Sequence, residues 1–144
     1  MPFRTRPQVV FRATTPQHAA LERATELALS YLASLDAAPV CATTPLAELR
    51  RRFSRPLPDD GADPVTIIDE LERNAAGGLL GSTGGRFYGW VIGAGLPSAL
   101  AADWLTATWD QNAGIYATSP LTSVIEDVAG KWLLSIAKTT GSVR

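Results

Sequence analysis

The sequence predicts a mainly α-helical fold with one or two short strands. Two observations carry that expectation. Five segments open on a proline, four of them behind Thr, Asp or Ser, and then space apolar residues at helical intervals. Strand-like material is confined to the stretch 81–97, GSTGGRFYGWVIGAGLP, which holds six of the twelve glycines beside aromatic and β-branched residues. Five helices and at most two strands do not make a sheet domain.

The first helix opens at Thr15-Pro16, where a hydroxyl can accept from free backbone N–H groups and proline fills a first-turn position that needs no donor. Leu21, Ala24, Ala28, Tyr31, Leu32 and Leu35 form its stripe, with Glu22, Arg23 and Glu26 off it, and it ends near Asp36. Thr44-Pro45 repeats the start signal for a short helix through about Phe53. The proline and glycine density of SRPLPDDGADP then marks a loop. Asp63-Pro64 opens a third helix to about Ala76, with Ile67, Ile68 and Leu71 on its apolar side. In an extended Phe87 to Ile92, alternation places Phe87, Gly89 and Val91 on one side and Tyr88, Trp90 and Ile92 on the other. Both sides are apolar, so both need cover, from a pocket, a sheet, a partner subunit or the core of a small domain. PSALAADWLTATWDQN reads as a fourth helix from Pro97 to about Asn112, with Leu100, Trp104 and Ala107 aligned. Ser119-Pro120 caps a fifth to about Lys138, where Leu121, Val124, Ile125, Val128, Trp132 and Ile136 make a broad stripe. These faces are wide for a chain of 144 residues to cover by itself.

Thirteen basic residues against fourteen acids give a formal charge of −1, which supplies no global field for a nucleic acid or an anionic membrane. The densest basic cluster, Arg50, Arg51, Arg52 and Arg55, could grip a phosphate, while its plainer reading is a solvated helix face making salt bridges between subunits. The single cysteine, Cys41, excludes an intrachain disulfide, and the single histidine, His18, leaves no Cys/His zinc set. The N-terminus lacks the apolar run of a signal peptide, and no segment approaches 18 apolar residues in a row. A soluble, cytoplasmic protein is the expectation.

The glycine stretch does not meet the requirements of a phosphate loop. A Walker-type loop needs two glycines five apart followed by Lys and Ser/Thr, whereas Gly81 pairs with Arg86. A dinucleotide fingerprint is closer, with Gly93-x-Gly95 before a helix. Ser98 takes the third position, however, Pro97 stiffens the turn, and helix follows where a second strand belongs. His18 is the one imidazole and is remote in sequence from every nucleophile, so it reads as a surface histidine. Asp103 and Asp110 lie two helical turns apart, about 10.5 Å of rise, and read as structural polar contacts. No complete catalytic set is present, and no metal set.

Taken together, GGRFYGWVIGAGLPSALAADWLTATWDQNAGIYATSPLTSVIEDVAGKWL resembles the N-terminal part of the pyridoxal-phosphate-dependent group II amino-acid decarboxylases. The marks are Phe87-Tyr88-Gly89; Ala101-Ala102-Asp103-Trp104-Leu105; Trp109-Asp110-Gln111-Asn112; Ser119-Pro120; Glu126; and Trp132-Leu133-Leu134. The resemblance runs from about Pro45 to Ile136 and is densest from Arg86 to Leu134. Gly84-Gly85 departs from the His-Pro of many relatives, which leaves the substrate's identity open.

The resemblance implies a fold-type I enzyme truncated before its cofactor domain, packed as a homodimer and acting on an amino-acid substrate. Residues 1–14 would be an extension, 15–80 a helical arm, 81–96 the substrate-pocket segment, 97–138 a helical pair leading into the cofactor domain, and 139–144 a truncated tail. It implies Trp90 and Val91 as walls of the substrate pocket, with Gly93 as a close backbone approach to the substrate. Asn112 and Gly114 would reach the partner subunit's site. No residue is implied as catalytic or as binding the cofactor. Pyridoxal phosphate would belong to the intact enzyme, where its ring acts as the electron sink for loss of the α-carboxylate. Lys131 and Lys138 are expected to be solvated helix charges, since a Schiff-base lysine needs partial burial. The competing reading is a non-catalytic helical module that binds a protein through its apolar faces, or a decayed gene product.

Overall fold

A computed structural model describes residues 15–93 and 95–140. The expected extension, residues 1–14, lies outside them, as do Ala94 and residues 141–144 of the expected tail. Five helices follow in order: α1 (Pro16–Ser34), α2 (Leu46–Phe53), α3 (Pro64–Ala75), α4 (Pro97–Trp109) and α5 (Pro120–Thr140). The chain divides into two compact units, one ending at Ala94 and the other beginning at Gly95.

Helix starts follow local chemistry. Thr15 Oγ1 accepts the N–H of His18 at 3.3 Å. Asp63 accepts that of Thr66 at 2.9 Å, with proline at the first turn of both helices. Ser119 Oγ accepts the N–H of Thr122 at 3.4 Å, and Ser119 is the one described residue that is buried. The expected Thr44 cap does not form. Pro45 stands at the N-cap of α2, and the Thr44 hydroxyl instead donates to the carbonyl of Ala76 at 3.1 Å, just past the end of α3. The fourth helix stops at Trp109 instead of Asn112 because Asp110 turns into the left-handed region, φ 48°. Asp110 therefore caps α4, and the two-turn spacing to Asp103 no longer sets a shared helical face.

In the first unit α1 packs along α3, and α2 packs against α3. Arg23 of α1 donates to Asp69 of α3 at 2.6 Å, and Arg55 after α2 donates to Glu70 of α3 at 2.5 Å. Arg51, Arg52 and Arg55 of the arginine cluster thus make salt bridges within the chain. Arg51 and Arg52 both sit on Glu48, at 2.7 and 2.9 Å, because i,i+3 and i,i+4 residues share a helix face. Arg52 also reaches the Ala76 carbonyl at 2.8 Å. Ala24, Ala28, Tyr31 and Leu35 of the expected stripe are half-buried while Leu21 and Leu32 are exposed, and Leu27 beside it is half-buried, as are Val65 and Ile68 of α3. In the second unit α4 and α5 do not pack on one another among the described residues.

No strand forms among the described residues, which corrects the expectation over Phe87 to Ile92. The segment is a pair of turns: Phe87 N–H donates to the Gly84 carbonyl at 3.2 Å and Ile92 N–H to the Gly89 carbonyl at 3.3 Å. Trp90 and Val91 both take positive φ, 62° and 55°. A strand is held by a ladder to a neighbour, and the described residues of this unit offer no extended neighbour. The backbone closes its hydrogen bonds locally instead.

No apolar side chain is buried among the described residues. The α5 stripe is open along its length, from Leu121 and Val124 to Trp132, which is 68% exposed. The wide faces read from the sequence are therefore not covered by the chain's own described residues.

Candidate functional site

The glycine and aromatic turn is organised around Phe87. A Cβ at Gly89 would meet the Phe87 ring at 3.3 Å, and one at Gly93 would meet the same ring at 3.3 Å. Two glycines therefore admit one half-buried ring. Gly93 has φ +118°, and a Cβ there would also collide with the Ser82 carbonyl, so a side chain is excluded by both conformation and space. The close approach at Gly93 is made to the chain's own Ser82. With Phe87 turned inward, the turn presents Tyr88, Trp90 and Val91 to solvent, the last two 83% and 104% exposed. An aromatic or β-branched residue at positive φ is uncommon and costs of order 1–3 kcal/mol. Trp90, Val91 and Gly93 thus share one strained, outward-facing turn.

Asn112 and Gly114 share a second turn, between α4 and α5. Asn112 Oδ1 accepts the N–H of Gly114 at 2.9 Å, and the Thr118 hydroxyl donates to the Asn112 carbonyl at 2.8 Å. This is an Asx turn, which asparagine's short amide favours. The two groups of residues lie in different units.

Arg86, at the start of the expected pocket segment, braces the turn. Its guanidinium donates to the carbonyls of Leu35 and Ala38, fixing the turn against the C-terminal end of α1. The available signal was its place as the one cation within the glycine stretch. Sequence reading also missed a cleft of about 350 Å³ between α1 and the chain that follows α3. Trp90, Val91 and Gly93 do not line it.

The described residues do not fit pyridoxal phosphate. Lys131 and Lys138 are exposed on α5, without the burial that a Schiff-base lysine needs. No group of three or more His, Cys, Asp or Glu placed to hold a metal occurs among the described residues. His18 Nε2 lies 3.2 Å from Glu22 Oε1, one turn along the same helix. Asp103, Glu126 and Asp127 are exposed. No described helix is long and apolar enough to cross a membrane.

No protein-family model, curated protein or solved structure matches the chain.

Proposed function

We propose that this chain is the N-terminal, non-catalytic part of a pyridoxal-phosphate-dependent group II amino-acid decarboxylase of fold-type I. On this reading it is a helical arm that works in a cytoplasmic homodimer. The intact enzyme removes the α-carboxylate of an amino acid, and the cofactor supplies the electron sink from a domain beyond Arg144. Trp90 and Val91 contribute a wall of the substrate pocket, Gly93 keeps that wall close, and Asn112 with Gly114 extend toward the partner subunit's site.

The observation that carries this reading is the order of marks from Phe87 to Leu134, set on helices whose apolar faces stand open. Tyr88, Trp90 and Val91 in the turn and Trp132 in α5 are more than half exposed. Patches of this kind mark surfaces that another body covers. The open stripe on α5 equally favours a second reading, a non-catalytic helical module that docks on a protein partner.

The test is the reading frame beyond Arg144, followed by expression of the intact product. A cofactor domain with its lysine, and release of CO₂ from an amino acid by the intact protein but not by the 144-residue chain with added pyridoxal phosphate, is the expected result. A frame that carries no such domain leaves the docking module. Borohydride-fixed cofactor on Lys131 or Lys138 of the chain alone would sink both readings.

A further inference from the structure

The cleft in the first unit has walls that are tied rather than collapsed. Its one side is α1, through Leu27, Tyr31 and Leu35; its other is the C-terminal end of α3 with Leu79 and Leu80. The N–H groups of Thr43 and Thr44 both donate to the Gly77 carbonyl, at 2.8 and 2.9 Å, and Gly81 N–H donates to the Val40 carbonyl at 2.9 Å. The Tyr31 hydroxyl reaches the Leu80 carbonyl at 3.4 Å. Hydrogen bonds between segments distant in sequence therefore hold an apolar space of about 350 Å³ open, at the small end of the size range of ligand pockets.

One charged side chain lines it, Glu72 of α3. Its neighbours Asp69 and Glu70 are paired to Arg23 and Arg55, whereas no arginine or lysine reaches ion-pair distance of Glu72 among the described residues. An apolar cleft with one unspent carboxylate and the Tyr31 ring in its wall is complementary to an apolar body bearing one positive charge. The geometry points to a binding site here for a small organic ammonium: its apolar part lies between α1 and Leu79–Leu80, and its cation is on Glu72. This site does not depend on the decarboxylase reading, since it lies wholly within the first unit and uses none of that reading's residues.

The experiment titrates the full 144-residue chain with phenethylamine and, in parallel, with 3-phenylpropionate, following backbone amide shifts. Saturating shifts at Leu27, Tyr31 and Leu80 are expected with the amine and not with the acid. Glu72 is exposed, so Glu72→Gln should weaken the amine about fivefold, the upper end for an ion pair on a solvent-accessible carboxylate. Leu35→Arg, which places a cation in the cleft, should abolish binding while the circular dichroism of both variants stays helical. Equal shifts by amine and acid, no shift at the cleft amides, or undiminished binding by Glu72→Gln would each overturn the site, as would a wild-type chain without helical dichroism.

Discussion

Glu48 takes the charge of two arginines at once. Hydrogen bonds from Arg51 first and Arg52 second hold its carboxyl down to about 2 from an ordinary 4.5. A depressed carboxylate contributes stability in full above its unfolded pKa and loses it as pH falls through the folded value. The α2 contribution is therefore intact above about pH 4.5 and fades as pH approaches 2. The group is half-buried with its carboxylate still open to solvent, so added salt weakens the effect. A ¹³C titration of the Glu48 side chain should give a midpoint near 2, moving upward in Arg51→Gln. A midpoint that stays at the ordinary value in the unsubstituted chain would show that the fork between Glu48 and its arginines does not persist in solution.

At the scale of elements, helix starts were legible and their tertiary ties were not. Proline behind Thr15, Asp63 and Ser119 marks three starts because a side-chain oxygen and a missing N–H satisfy the first turn locally. Thr44 carries the same signal and does something else, because its hydroxyl has the Ala76 carbonyl within reach, 32 residues on. The turn at Phe87–Ile92 was misread for a related reason. Alternating apolar residues describe a strand only when a second strand supplies the ladder, and that depends on chain outside the segment. The places of Trp90, Val91 and Gly93 in one turn could be read from their adjacency, while the bracing by Arg86 and the α1–α3 cleft needed contacts some 50 residues apart. The two kinds of threonine and aspartate separate experimentally. Asp63→Ala removes a cap worth about 1 kcal/mol, so amide exchange should accelerate over the first turns of α3. Thr44→Val leaves both helix starts as before and should loosen only the junction, where the Ala76 carbonyl keeps Arg52 as its one remaining side-chain donor. Acceleration along the whole of α2 in Thr44→Val would mean that the hydroxyl caps that helix after all.

At the scale of the whole chain, the decisive quantity is the absence of a buried apolar side chain among the described residues. Cooperative unfolding draws on apolar burial to offset the loss of chain entropy, and helices without it hold together mainly through caps, ion pairs and local hydrogen bonds. The four tryptophans report on this directly, since Trp90, Trp104, Trp109 and Trp132 are 83%, 38%, 51% and 68% exposed. In the isolated chain iodide should quench the emission of all four, and the near-ultraviolet dichroism should be weak beside a helical far-ultraviolet signal. Heating should give a broad loss of helix instead of a sharp transition. Under either proposed reading, adding the decarboxylase remainder or the protein partner should shift emission to the blue, lower quenching and sharpen the transition. Trp132→Glu separates the contribution of α5 from that of the aromatic turn. It should block the shift if α5 is the covered face and leave it largely intact if cover falls on Trp90. A sharp transition and tryptophans protected from iodide in the isolated chain, at concentrations where it is monomeric, would mean that the open faces of α4 and α5 close on each other in solution.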